Sequence, residues 1–189
     1  VNMDETTFAF SPKVLDRAFT MEIRDVDLSG YPLEPAAEGG GADTDDFPAT
    51  ELLTDFTRSG AYAQITKDDV WRWSTGRRAY VEELDRLNKI LSEHDFGFGY
   101  RVVDEVLGFL GAVADSPVAD ALPAQAAFDQ AVLMKVLPKM HGTLQRLRQP
   151  LTDVMEWAGP EAEPRYPRTY KKLARMLRDA QATGHASFS

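Results

Sequence analysis

The chain has 189 residues and a mass of 21.0 kDa, with 43% hydrophobic and 27% charged residues, enough for one globular domain with a sizeable core. Its formal net charge of −9 argues against a simple DNA-coating role. The absence of cysteine excludes a disulfide framework and any cysteine-ligated metal; the three histidines, His94, His141 and His185, are far apart, and no apolar run approaches the ~20 residues of a membrane span.

Ser11-Pro12 fits an N-cap followed by proline at the first helical position, which predicts a short helix over about 12–18. Phe19 to Val26 alternates apolar and polar residues and predicts a strand. Between Arg24 and Arg58 there is no Lys or Arg, while the same stretch holds Asp25, Asp27, Glu34, Glu38, Asp43, Asp45, Asp46, Glu51 and Asp55. Its centre, about 29–47, is Gly-rich and acidic, without the apolar surface needed to offset ordering entropy, and reads as a linker or insertion.

From there the pattern is helical. Short helices are predicted over about 50–58 and over 67–73, the latter with Thr66 as N-cap. The clearest helix is 76–93: Tyr80, Leu84, Leu87 and Leu91 form one stripe, and Glu82–Arg86 and Asp85–Lys89 are spaced as i,i+4 pairs on the other side. Residues 99–114 are apolar nearly all round, which predicts a central helix. Residues 123–137 form the next, stopped by Pro138, with Lys135 and Lys139 facing the negative helix end and Gly142 permitting a turn. In 143–157, Leu144, Leu147, Leu151, Val154 and Met155 share a face. The last helix, 167–181, divides into a basic face (Arg168, Lys171, Lys172, Arg175, Arg178) and an apolar one (Tyr170, Leu173, Met176, Leu177, Ala180).

The first residues carry the most specific string. Val1-Asn2-Met3-Asp4-Glu5-Thr6-Thr7, followed by Phe10-Ser11-Pro12-Lys13-Val14-Leu15-Asp16-Arg17-Ala18, resembles one region of the AAA+ nucleotide hydrolases, most closely the McrB-type motors of methylation-dependent restriction systems. Taken singly, Asn2 reads as a turn residue and Arg17 as half of a surface ion pair; the specificity lies in the combination. By resemblance, Asn2 maps to sensor 1, which orients the water attacking the γ-phosphate, and Arg17 maps to the arginine finger offered to a neighbouring subunit. Phe98-Gly99-Tyr100-Arg101-Val102-Val103-Asp104-Glu105 looks like the opening of the third helix of an AAA+ lid, with Arg101 at sensor 2. The bland reading of Arg101 is an ion pair with Asp104 or Glu105. The string Leu133 to Gly142 is also similar to a McrB-like lid, with His141 structural. GTP-using members carry Asn-x-x-Asp at sensor 1; here the fourth residue is Glu5 and the Asp comes one earlier, leaving GTP or ATP open.

The resemblance implies a mainly α fold: a helical AAA+ lid bundle attached to a remnant of an α/β P-loop NTPase core. The implied organisation is the end of the core over 1–28, an acidic insertion or linker over 29–65, and the lid and tail over 66–189. No Gly-x-x-x-x-Gly-Lys-[Ser/Thr] loop occurs, and Gly39-Gly40-Gly41 lacks the lysine. The expectation is therefore the C-terminal part of a longer cytoplasmic motor. It would use NTP with magnesium together with its own N-terminal P-loop half, in a homo-oligomeric ring. A McrC-like nuclease subunit and DNA would be its partners, with no membrane. Two other classes remain: a helical interaction module without catalysis, and a nucleic-acid-binding module using the basic face of 167–181.

Overall fold

A computed structural model of the chain describes residues 14, 17–21, 66–115 and 122–188. Asn2, most of the predicted helix 12–18, the strand beyond Met21, the acidic stretch and the predicted helix 50–58 lie outside the described residues. The chain divides into two units, 1–22 with 67–189, and 23–66.

Among the described residues of the first unit, six α-helices are defined from end to end: α1 Lys67–Thr75, α2 Arg78–Ser92, α3 Tyr100–Ala114, α4 Ala124–Lys135, α5 Leu144–Ala158 and α6 Pro167–Thr183. A 3₁₀ turn, Leu137–Lys139, follows α4. Two strands of two residues each, β1 Gly142–Thr143 and β2 His185–Ala186, pair antiparallel, Gly142 with Ala186 and Thr143 with His185. The described fold is mainly α, as the sequence predicts, and the helix bounds differ from the predicted ones by at most two residues.

The apolar stripes explain the packing. Leu84, Leu87 and Leu91 of α2 are buried, with Tyr80 partly buried against the same core. On α3, Val102, Val106, Leu107, Leu110 and Val113 are buried, and this helix lies against both α1 and α4. Leu147, Leu151 and Val154 of α5 meet Leu173, Met176 and Ala180 of α6 in the most extensive helix pair. Where α1 meets α3, a Cβ on Gly111 would fall 2.5 Å from the Trp73 indole nitrogen, so only glycine lets this indole lie on the helix. Gly142 has φ +143, the backbone freedom expected of it at the turn after the 3₁₀ segment.

An aromatic column runs through the core. Tyr80 stacks on Phe128 with centroids 4.9 Å apart, Phe128 is tilted against Tyr166 at 5.3 Å, and Tyr166 stacks on Trp157 at 4.6 Å. Glu83 closes the column from above. Its carboxylate accepts from the Trp157 indole at 3.1 Å and from both terminal nitrogens of Arg165, at 3.3 and 3.1 Å, and Arg86 pairs with it at 2.9 Å. The predicted Glu82–Arg86 pair is thus replaced by Glu83–Arg86, and Glu82 pairs with Arg78 at 3.4 Å; Asp85–Lys89 forms as expected, at 2.6 Å. Glu83 wins Arg86 because Trp157 and Arg165 already hold its carboxylate in place.

Helix α6 is capped from another helix. Its N-cap residue, Tyr166, has no side chain able to accept from the first turn, and Pro167 occupies the first position. The Asp129 carboxylate of α4, 2% exposed, fills the gap by accepting the amides of Arg168 at 2.8 Å and Thr169 at 2.9 Å. A negative charge at this end also opposes the positive pole of the helix.

The basic face predicted on α6 needs correction. Lys172 does not face solvent with Arg168, Lys171 and Arg178: it is 6% exposed, donates to the Phe188 carbonyl and lies 4.3 Å from the Phe188 ring centroid. The returning tail covers it, and its stem fills the core edge while the ammonium satisfies the chain end. Arg168 is hydrogen-bonded to Gln130 at 2.7 Å.

Two expectations follow. Asp129→Ala orphans two amides in the first turn of α6 and should lower stability by at least about 2 kcal/mol, the upper end for loss of a single N-cap; urea denaturation measures it, and Asp129→Asn, which keeps one acceptor, should cost less. Burial, with Glu83 nearby, pushes the Tyr166 hydroxyl up from 10.0 to about 12. The neutral ring is favoured in the fold, so this contribution is complete below pH 10 and is lost as the pH rises through about 12. Thermal midpoints between those pH values should fall more steeply for the wild type than for Tyr166→Phe.

Candidate functional site

The three residues singled out from the sequence fall in different situations. Asn2 lies outside the described residues. Arg17 is exposed; its amide donates to the Val14 carbonyl at 3.0 Å, and Val14 is helical, as expected near the end of the helix predicted over 12–18. Arg101 is exposed in the first turn of α3.

The start of α3 is fixed by its approach. Phe98, buried, donates its amide to Asn88 Oδ1 of α2 at 2.7 Å, and Gly99 follows as an extended N-cap without a side chain. With no side-chain cap and no acid in the first turn, this helix end presents backbone donors and the Arg101 cation together. Tyr100 beside it is 90% exposed. Such an end is chemically suited to an anion.

The segment after Arg17 is attached to α3 and α4. Thr20 donates its amide to the Met134 carbonyl at 2.9 Å, and the Phe19 ring lies 5.9 Å from that of Phe109 on α3. Phe19, Thr20 and Met21 are not in a strand; the Thr20 amide is used by the end of α4. Lys135, the last residue of α4, is fully buried. Its ammonium pairs with Glu105 on α3, donates to the Ala18 carbonyl at 3.3 Å and sits 5.3 Å from the Phe19 centroid. Its position at the end of α4 predicts an ammonium facing the negative pole of its own helix. Placed here instead, it joins three pieces of chain, because a buried ammonium needs a counter-charge and a carbonyl more than it needs a helix pole.

A second surface feature lies between α5 and α6. Met155, Tyr170 and Leu177 line two adjoining grooves of about 410 and 520 Å³ between α5, α6 and the 159–164 loop. Glu156 and Glu161 border them on one side, and Lys171 and Arg178 on the α6 side. His94 and Asp153, 2.7 Å apart, tie the end of α2 to α5, with Gln149 donating to the same carboxylate at 2.7 Å. Among the described residues, no group of three His, Cys, Asp or Glu could hold a metal ion, and no helix is long and apolar enough to cross a membrane.

Comparison with known proteins identifies a family. The family described as a domain of unknown function, DUF8727, matches residues 54–185, well over half of the chain, and the chain belongs to it. No curated protein and no solved structure matches.

Asp104, next to Glu105, reports on the electrostatics of α3. Burial, and then the neighbouring Glu105 charge, push its carboxyl above the usual 3.8. The fold disfavours its ionised form, so the penalty is present at neutral pH and disappears as the pH falls through the raised value. Asp104→Asn should therefore raise the thermal midpoint slightly at pH 7, and the difference from wild type should close below pH 3.8.

Proposed function

We propose that this member of the DUF8727 family is the portion of an AAA+ NTP-hydrolysing motor that runs from sensor 1 through the lid, of the type that drives McrBC-like DNA restriction. The observation that carries the reading is the pair of exposed arginines: Arg101 in the uncapped first turn of α3, and Arg17 on a segment anchored to α3 and α4. A mainly helical bundle following such a segment supports the reading as a lid.

The chemistry asks for cations at two places. Charge builds on the equatorial oxygens of a phosphoryl group in transfer, and catalysis consists largely of positioning and electrostatic stabilisation. Arg101 would meet the phosphates of its own subunit's nucleotide, assisted by the amides of the α3 N-terminus. Arg17 would reach the nucleotide of the neighbour in a homo-oligomeric ring. Asn2 would orient the attacking water. The phosphate loop, and the residues that hold magnesium on GTP or ATP, would come from the N-terminal P-loop half of the same protein. In the assembly, the ring would act on a McrC-like nuclease subunit and on DNA.

The interaction-module reading keeps one observation of its own, the grooves around Met155, Tyr170 and Leu177. DNA binding by α6 is weakened, because Lys172 is committed to Phe188 and Glu156 and Glu161 border the same surface.

Arg17→Ala in the protein carrying its phosphate loop tests the assignment. Nucleotide binding and assembly should persist while hydrolysis falls, since arginine fingers contribute about 10³–10⁵ in rate to related transfers. Mixing Arg17→Ala subunits with subunits lacking the phosphate-loop lysine should restore part of the activity. Hydrolysis at the wild-type rate by an assembled Arg17→Ala ring would overturn the finger.

A further inference from the structure

We propose that Lys135 and Glu105 are a positioning pair that registers the Arg17 segment to the Arg101 helix, so that the two arginines move as one body. The proposal rests on the NTPase reading for its purpose, and on the geometry for its mechanical content.

The spacing along the chain carries the argument. Glu105 stands four residues after Arg101, one helical turn along the same side of α3. Ala18, whose carbonyl accepts from Lys135 at 3.3 Å, directly follows Arg17. One fully buried ammonium is thus a single residue from one arginine and a single turn from the other. Two further contacts run between the same pieces of chain, Thr20 to the Met134 carbonyl at 2.9 Å and Phe19 to Phe109 at 5.9 Å.

The residue type is informative. An apolar side chain at 135 could hold the segment against α3 and α4, with less desolvation cost than a buried ion pair. Apolar contact is non-directional, however, and permits sliding. Here the Glu105 carboxylate holds the ammonium by charge, without a hydrogen bond to the oxygen that faces it, and the hydrogen bond to the Ala18 carbonyl at 3.3 Å supplies the direction. In a ring, Arg101 would sense the nucleotide of its own subunit and Arg17 would serve the next. A shift of α3 on nucleotide binding would then reach the finger through Lys135.

The chain has no cysteine, so Arg17→Cys and Tyr100→Cys introduce two unique spin-label sites, one at the finger position itself and one beside Arg101. Electron spin resonance should give a single narrow distance distribution on the 189-residue chain. The double variant Lys135→Met/Glu105→Gln keeps the side-chain volumes and removes both charges. It should retain the helical circular dichroism signal and broaden the distribution at least about twofold. Should this variant lose its helical signal, Glu105→Gln alone, which keeps an acceptor, carries the same test. A distribution as narrow as the parent's overturns the coupling, whatever the ring does. In the protein with its phosphate loop, the double variant should lower kcat about tenfold or more while KM stays within about twofold, the pattern of a lost transition-state interaction. Broadened distances with an unchanged kcat would overturn the positioning role. A wild-type protein without NTP hydrolysis would overturn the NTPase reading, leaving the mechanical link to be decided by the spin-label distances.

Discussion

Removing an ammonium from water costs several kcal/mol, and a fold that does so must return most of it through a counter-charge, a carbonyl and favourable packing. Lys135 is 0% exposed, and the arrangement of the first half of the bundle follows from meeting that demand. Glu105 must face α4, which fixes the rotation of α3 about its axis. The Ala18 carbonyl must come within reach, which brings a segment from far away in sequence onto the helices. Phe19 covers the remaining side of the charge with its ring face. Loss of either partner of such a pair typically costs about 3–5 kcal/mol, because the other charge is left stranded.

The second half of the bundle uses the same logic with the sign reversed. Asp129 and Glu83 are carboxylates held among apolar groups, and each is surrounded by donors: two amides for Asp129, an indole and two arginines for Glu83. The aromatic column between them supplies non-directional cohesion, and these polar ties specify which helix ends meet. Arg165 and Tyr166 lie in the loop between α5 and α6, so the Glu83 and Asp129 contacts together set where α6 begins. Lys172, six residues into α6, holds the returning Phe188 carbonyl against the helix in a similar manner.

The helices are legible because their apolar residues recur with the helical period: Leu84, Leu87 and Leu91 are the buried residues of α2, and Leu147, Leu151 and Val154 are buried in α5, where Pro150, Trp157 and Ala158 join them and Leu144 and Met155 are only partly buried. The polar ties are not. Lysine is ordinarily a surface residue, so the sequence pattern puts Lys135 at a helix pole and Lys172 on a solvated face. Asp129 caps a helix nearly forty residues away, and no local spacing encodes such a contact. A signal was nevertheless available: Tyr166-Pro167 opens a helix without a capping side chain, so the acceptor had to come from elsewhere. Strands of two residues are shorter than any alternation pattern can register. Of the candidate site, Arg17 and Arg101 stand out by resemblance to a motif, and the contacts of Lys135 with Ala18, next to Arg17, and with Glu105, one turn from Arg101, have no counterpart in the sequence pattern.

The small ladder between β1 and β2 has a consequence for how this family can diverge. β1 immediately precedes α5 and β2 follows α6 after Gly184, while the Leu144 amide donates to the Gly184 carbonyl at 2.9 Å. The hairpin of α5 and α6, 15 and 17 residues long, is therefore fastened at both ends. One added residue in either helix would lengthen that side by about 1.5 Å and rotate everything beyond it by about 100°. The ladder would no longer meet, and the buried stripe would turn toward water. Insertions and deletions among relatives should accordingly collect in the corner between Gly159 and Arg165 and be purged from the two helices, giving a pair of fixed-length blocks around a variable joint.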